Sequence, residues 1–180
     1  MDGSTQSDSG LVDAGHGDSS VRGNRIRGWI AVVARLGLVV VFGWSGFAKA
    51  ADPIATVTAV RAYSLVPTSW VKPVATALPW FEVALAVLLL LGLALRFTAV
   101  LSALLLIAFI AGVISAAVRG LAIDCGCFGG GGAVAPGETR YTEEILRDVG
   151  FLLLAAYLVW WPRSPLSVDG MVGRTQIEQA

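Results

Sequence analysis

Charge is scarce in this sequence. Only 14% of its 180 residues are charged, against about 25% in a typical soluble domain, and that deficit argues against a soluble enzyme. The two signs cancel to a formal net charge of zero, so no basic surface points to nucleic acid as a partner. Histidine occurs once, as His16, and cysteine twice, as Cys125 and Cys127. Such low counts exclude a disulfide scaffold. They also leave thiols and imidazole short of the four ligands or so that a protein-only zinc site takes, so no metal is expected. No internal repeat and no pair of broken spans is visible, which weakens a transporter reading.

What the chain does have is apolar residues, 56% of the total, with a mean hydropathy of +0.73. They are clustered rather than scattered. Four segments, at about 29–48, 74–95, 97–118 and 145–161, are long and mostly apolar. A spanning helix needs roughly 20 residues, within a range of about 17–25, and all four fit, the last at the short end. The expected fold class is therefore all-α, an integral membrane four-helix bundle in a lipid bilayer. The membrane domain covers 28–163. Residues 1–27 are polar and expected to be disordered, and 164–180 form a polar C-terminal tail.

The connections carry more information. Leu95-Arg96-Phe97 alone separates the second and third spans, which predicts a tight antiparallel hairpin turning there. The first connection holds an apolar stretch, Ile54 to Val60, that suits a short interfacial helix. The third, 119–144, contains the run Gly129 to Gly132 and then Pro136-Gly137, so irregular backbone is expected. The last helix should start near Thr139 or Thr142, with Glu143 and Glu144 favourable in its first turn. Trp160 and Trp161 suit an aromatic belt at its far end, where Pro162 stops it.

Four spans put both termini on one side of the membrane. Lys and Arg divide almost evenly between the two sides, and the cluster Arg22, Arg25 and Arg27 beside the first span tips the balance. By the positive-inside rule the termini are then cytoplasmic and the cysteine loop extracytoplasmic, in the cell membrane. Ala48-Lys49-Ala50 resembles a signal-peptide cleavage site, but the apolar stretch before it is long, contains Arg35 and follows a long polar tail, so an uncleaved span is expected.

The chemistry centres on Asp124-Cys125-Gly126-Cys127-Phe128-Gly129. A disulfide between thiols one residue apart closes a small ring outside the relaxed geometry, and strain of that kind makes the bond more oxidising. Gly126 admits backbone conformations that a Cβ forbids. A loop this small gains little as an entropic staple, so exchange suits the pair better than support. Idle thiols are the plain alternative, and binding of Cu(I) is the weakest. Asp124 disfavours a thiolate on its neighbour, which slows attack by Cys125 without preventing attack on it as a disulfide.

Charges near the spans come next. Glu82 opens the apolar run of the second span and either faces the bundle interior, with Lys49, Arg61 or Arg147 as candidate partners, or sits solvated at the headgroups. Arg147 follows Glu143 and Glu144 at helix-neighbour spacing, or else aims at the cysteine loop. Lys49 and Arg35 read as snorkelling. Phe109, Trp44 and Phe47 are candidates for a quinone slot, with lipid or helix packing the stronger reading.

The stretches Gly43-Trp44-Ser45-Gly46-Phe47-Ala48-Lys49, Tyr63-Ser64-Leu65-Val66-Pro67, Leu78-Pro79-Trp80-Phe81-Glu82 and Cys125-Gly126-Cys127-Phe128-Gly129, followed by Arg147, together resemble the methylamine utilisation MauE family of the DoxX-like four-span membrane proteins. The resemblance covers about 28–161. It implies that Cys125 and Cys127 are a redox pair, and that Lys49, Tyr63, Pro67, Glu82 and Arg147 occupy recurrent positions of unassigned role. It also implies a part in disulfide formation or electron transfer during maturation of methylamine dehydrogenase, with thioredoxin-like or thiol-bearing client proteins as partners and quinone as an acceptor. The expected function is thus a membrane-embedded thiol–disulfide redox protein. The alternative is a non-catalytic assembly factor or a subunit of a redox complex.

Overall fold

The computed structural model describes residues 14–126, 130–135 and 137–161. Among them are five helices, α1 (Ala14–Ala51), α2 (Pro53–Tyr63), α3 (Thr68–Leu91), α4 (Leu95–Val118) and α5 (Tyr141–Trp160), and one strand pair, β1 (Ile123–Asp124) with β2 (Gly132–Ala133). The protein is an all-α integral membrane protein. Among the described residues three segments are long and apolar enough to cross a bilayer: Arg25–Ala51, Thr68–Leu91 and Leu95–Val118.

The fourth expected span forms its helix, α5, but is not among those three. Glu143, Glu144, Arg147 and Asp148 occupy its first two turns. Its apolar remainder, 149–160, is about 18 Å long at 1.5 Å per residue, short of the roughly 30 Å hydrocarbon core. It is nonetheless part of the bundle, packed along α4 and α1, while α1 also lies against α3 and α3 meets α4. Of its charged start, Glu144 and Asp148 are buried against these neighbours while Glu143 stays exposed.

Helix boundaries depart from the sequence expectation in instructive ways. The first helix begins at Ala14, well inside the polar segment 1–27 expected to be disordered; 1–13 and the tail 164–180 lie outside the described residues. Helix α3 starts at Thr68 rather than 74 and runs through Pro73 and Pro79, because a membrane helix keeps proline where packing compensates the freed carbonyls. The hairpin turns at Gly92–Ala94, not at Leu95-Arg96-Phe97, which form the first turn of α4. Gly92 (φ 67°) and Ala94 (φ 43°) take the left-handed conformation, and the amides of Gly92 and Leu93 close on the Leu88 carbonyl at 3.0 and 3.2 Å, a glycine-terminated helix end.

Helix α2 matches the short helix expected at 54–60. Pro53 stands at its first turn, and the Asp52 side chain accepts from the Ala55 amide at 2.9 Å, an N-cap arrangement. The loop after α4 is only partly irregular: Ile123 pairs with Ala133 and Asp124 with Gly132. This strand pair packs on α2, at the end of the bundle where α1 finishes and α5 begins.

The interior is filled by Leu38, Phe42, Leu85, Leu89, Leu106 and Leu158, with alanines between them. Large apolar side chains also face outward, among them Trp44, Phe97, Leu104 and Leu153, as a lipid-facing surface requires. In lipid, helices associate through close packing of small residues, and Gly46 shows this directly. A Cβ there would lie 2.8 Å from Val83 Cγ2 and 2.9 Å from the Pro79 carbonyl, so glycine sets how near α1 comes to α3.

Candidate functional site

The close approach at Gly46 brings the C-terminal end of α1 against the middle of α3, and there the charges pair. Lys49 Nζ donates to Glu82 at 3.0 Å (Oε1) and 3.1 Å (Oε2), and to Ser45 Oγ at 2.5 Å one turn back on its own helix. Glu82 is 0% exposed and Lys49 7%. All three ammonium protons have acceptors, as a buried ammonium requires. The ammonium also stands 5.5 Å from the centre of the Phe109 ring, a favourable cation–π distance. Thr56 Oγ1 donates to the Lys49 carbonyl at 3.0 Å, tying α2 to the same point.

Lys49 therefore does not snorkel, and neither does Arg35, which is 5% exposed. Of the three cations that the sequence offered Glu82, the bundle selects Lys49. Arg147 serves a different group. Its Nε donates to Asp148 Oδ1 at 3.1 Å and its Nη2 to Cys125 Sγ at 3.7 Å. Of the two sequence readings for Arg147, the structure has the arginine at the cysteine loop rather than paired with Glu143, which takes Arg140 at 3.5 Å.

Around Cys125 the donors are mixed. One ligand-type atom each of Asp124, Cys125 and Glu144 lies within 4.8 Å of the other two. Counting thiols and imidazoles could not reveal this cluster, since two of its three members are carboxylates. Burial pushes the Glu144 carboxyl, in the first turn of α5, above the usual carboxylate range, and Asp124 adds to that; hydrogen bonds from Cys125 and the Arg147 charge act in the opposite sense. Its Oε2 and the Asp148 Oδ2 are buried with no hydrogen-bond partner among the described residues. The base of the loop is fixed by Tyr141, whose hydroxyl donates to the Leu121 carbonyl and accepts from the Ile123 amide at 3.2 Å.

Gly126 carries the loop over α2. Its φ is +66°, and a Cβ would stand 3.0 Å from Ala59 Cβ and 3.2 Å from the Gly130 carbonyl. Left-handed backbone and a tight contact both demand glycine. Gly126→Ala is accordingly expected to lift the loop from α2 and to raise the maleimide labelling rate of Cys125 severalfold; an unchanged rate would show that the contact does not hold the thiol. Cys127 lies outside the described residues, so the structure gives no geometry for the thiol pair.

Between the ion pair and the thiol is a cavity of about 170 Å³, open on one side. Lys49, Thr56, Tyr63, Phe109, Cys125 and Gly126 are among its lining, with aliphatic side chains of α2, α3 and α4 completing the wall. Tyr63, singled out in the sequence, lines the cavity. Its ring packs at Gly112 (3.6 Å from a Cβ built there) and its carbonyl accepts from Arg119 Nη2 at 2.5 Å, which joins α2 to the end of α4. Of the three aromatic residues considered for a quinone slot, only Phe109 faces inward. Trp44 and Phe47, 64% and 70% exposed, point away from the bundle.

The sequence reading missed Asp148 and Ser45. Ser45 stands four residues before Lys49, a spacing at which helix neighbours meet. Asp148 is an ionisable residue inside an expected span, itself a signal of interior placement.

Helical bundle, internal ion pair and a cysteine held at the bundle end define a small multi-span membrane protein with a thiol site. The family model of the methylamine utilisation protein MauE matches residues 27–161, and the chain belongs to that family. Neither a curated protein nor a solved structure matches it.

Proposed function

We propose that the protein is a membrane thiol–disulfide redox protein, with Cys125 and Cys127 cycling between dithiol and disulfide on the extracytoplasmic face. The contact of the Arg147 guanidinium with Cys125 Sγ at 3.7 Å is the observation that carries the reading. A cation donating to sulfur stabilises negative charge there, whether on an attacking thiolate or on one leaving a disulfide. Arg147 is half-buried, and its guanidinium is shared between Asp148 and the sulfur. The client is a protein with thiols, and membership of the methylamine utilisation family makes a disulfide-bearing subunit of a methylamine dehydrogenase, or a thioredoxin-like carrier, the first candidate. Asp148 holds the arginine, and the Lys49–Glu82 pair holds the helices against which the loop rests.

The two cysteines are the only thiols in the chain, so no background needs removing. Intact cells treated with a membrane-impermeant maleimide are expected to give two adducts per chain by mass only after mild reduction. That result shows a closed disulfide outside. No adduct in either condition, with labelling restored on lysis, puts the loop in the cytoplasm and ends the reading as an extracytoplasmic oxidant. Two adducts without reduction count against a resting disulfide.

A further inference from the structure

Thiol exchange makes no use of the two carboxylates that stand beside Cys125. One ligand-type atom each of Asp124 on β1, Cys125 next to it and Glu144 in the first turn of α5 lies within 4.8 Å of the other two. We infer that these three side chains hold a divalent ion of the zinc class, which keeps Cys125 as a bound thiolate and out of exchange. The Glu144 carboxylate is the observation that points to a ligand. The residue is 7% exposed, and its Oε2 has no hydrogen-bond partner among the described residues. A buried carboxylate oxygen in that state is costly unless positive charge or a donor meets it. Arg147 does not meet it: the guanidinium donates to Asp148 Oδ1 at 3.1 Å and to Cys125 Sγ at 3.7 Å. With its sulfur ionised the cluster carries three negative charges, while Asp148 matches the charge of Arg147. A doubly charged ion offsets most of the remainder.

The donor set selects the ion. Calcium and magnesium take oxygen throughout, and copper(I) prefers sulfur; one thiolate with two carboxylates suits neither. Zinc accepts both donor types, and three protein ligands with the fourth position left to water is one of its usual arrangements. By its bond lengths, ligand atoms round a tetrahedral zinc stand about 3.3–3.7 Å apart, so the cluster has about 1.5 Å or less to close. Its frame is already fixed. Asp124 pairs with Gly132 across the strands, and Tyr141, which opens α5, bonds both the Leu121 carbonyl and the Ile123 amide. The Arg147 contact then steadies a metal-bound sulfur, as hydrogen bonds to ligands commonly do. The sequence expectation of no metal rested on a count of thiols and imidazole, which omits both carboxylates. On binding, the S–H bond of Cys125 breaks and a metal–sulfur bond forms; the proton leaves to water and no electron moves. An ion and a disulfide at Cys125 exclude each other, so metal supply decides whether the thiol is open to exchange. Only that consequence rests on the thiol–disulfide reading; the site itself needs no second cysteine.

The test uses the full-length protein without an affinity tag in lipid nanodiscs, reduced and stripped by a chelator, with Zn²⁺ and Co²⁺ as the probes. One ion per chain is expected by elemental analysis. Co²⁺ should give a thiolate-to-cobalt charge-transfer band and the strong ligand-field absorption of four-coordinate cobalt. Zn²⁺ should slow maleimide alkylation of Cys125, read by peptide mass, by about tenfold or more, and chelation should restore the rate. Glu144→Gln and Asp124→Asn are each expected to weaken Zn²⁺ binding about tenfold or more, whereas Cys127→Ser should keep the stoichiometry and the cobalt band. The band and the protection are read on the unmodified protein and stand even if both carboxylate variants misfold. Absence of the charge-transfer band, or Zn²⁺ bound equally well by a folded Glu144→Gln protein, overturns the site. So does loss of the band in a folded Cys127→Ser protein, which puts the ion on two sulfurs. Exchange of the stripped protein with hydroxyethyl disulfide separates the two readings. Exchange without metal binding removes the site and leaves the thiol–disulfide reading standing; metal binding with the band but no exchange supports the site and removes that reading.

Discussion

Lys49→Met is expected to destabilise the protein by about 3–5 kcal/mol, the usual result of removing one partner from a buried ion pair. Glu82 would be left without its cation at a position that is 0% exposed, and no other cation donates to it among the described hydrogen bonds. Glu82→Leu should cost a comparable amount, because the ammonium is stranded instead. The double variant Lys49→Met, Glu82→Leu removes both charges and should recover most of the loss, since two apolar groups replace a pair whose burial was itself costly. Thermal unfolding of the four proteins in detergent measures this. Additive losses in the double variant would show that the two side chains are not coupled. The recovered variant also separates structure from chemistry: if it folds and still exchanges thiols at the parental rate, the pair serves only to hold α1 to α3.

That pairing shows what the sequence could and could not disclose. The apolar runs that became α1, α3 and α4 are legible because a bilayer demands length and hydropathy, and both are local properties. The glycine between the cysteines is legible for the same reason, since a C-x-C spacing constrains its own backbone. Lys49 was misread because nothing near it in sequence marks its partner, 33 residues away; the contact exists only where Gly46 lets α3 come close. Arg35 was misread similarly, as a cation near a span end whose burial depends on packing across the bundle. Helix α3 begins six residues before the expected span because Pro73, a breaker in water, is tolerated in a packed membrane helix. Arg147 had two sequence readings, an ion pair on its own helix and an aim at the cysteine loop, and only the placement of Cys125 against α5 could decide between them.

The two polar clusters share one helix end. Asp148 accepts from Arg147 at 3.1 Å and also feels the charge of Lys49. A line of charged groups thus leads from Cys125 through Arg147 and Asp148 toward Lys49 and Glu82. Of these four charged residues Lys49, Glu82 and Asp148 are buried. In a protein whose surface must be apolar, interior charge is costly, and here it gathers at the end of the bundle where Lys49 and Cys125 line one cavity.

Opposite charges beside one sulfur give a prediction with two signs. Arg147 donates to Cys125 Sγ at 3.7 Å, while Asp124 and Glu144 place carboxylate oxygens within 4.8 Å of it. Arg147→Gln removes the cation and keeps a donor of similar size. The thiolate then loses its charge-assisted hydrogen bond, worth about 1.5–3 kcal/mol, and alkylation of the reduced protein at neutral pH is expected to slow by about tenfold or more. The rate–pH profile should move to higher pH, because a lost positive neighbour makes the charged sulfur harder to form. Glu144→Gln removes negative charge instead and should move the profile to lower pH, with faster alkylation. Arg147→Lys keeps the charge without the planar fork and should fall between the parent and Arg147→Gln. Stopped-flow alkylation across pH 6–10, with circular dichroism to confirm folding, separates the cases. Both variants slowing alike would mean that the loop has simply moved; shifts of opposite sign, in well-folded protein, would show that the charges act on the sulfur itself.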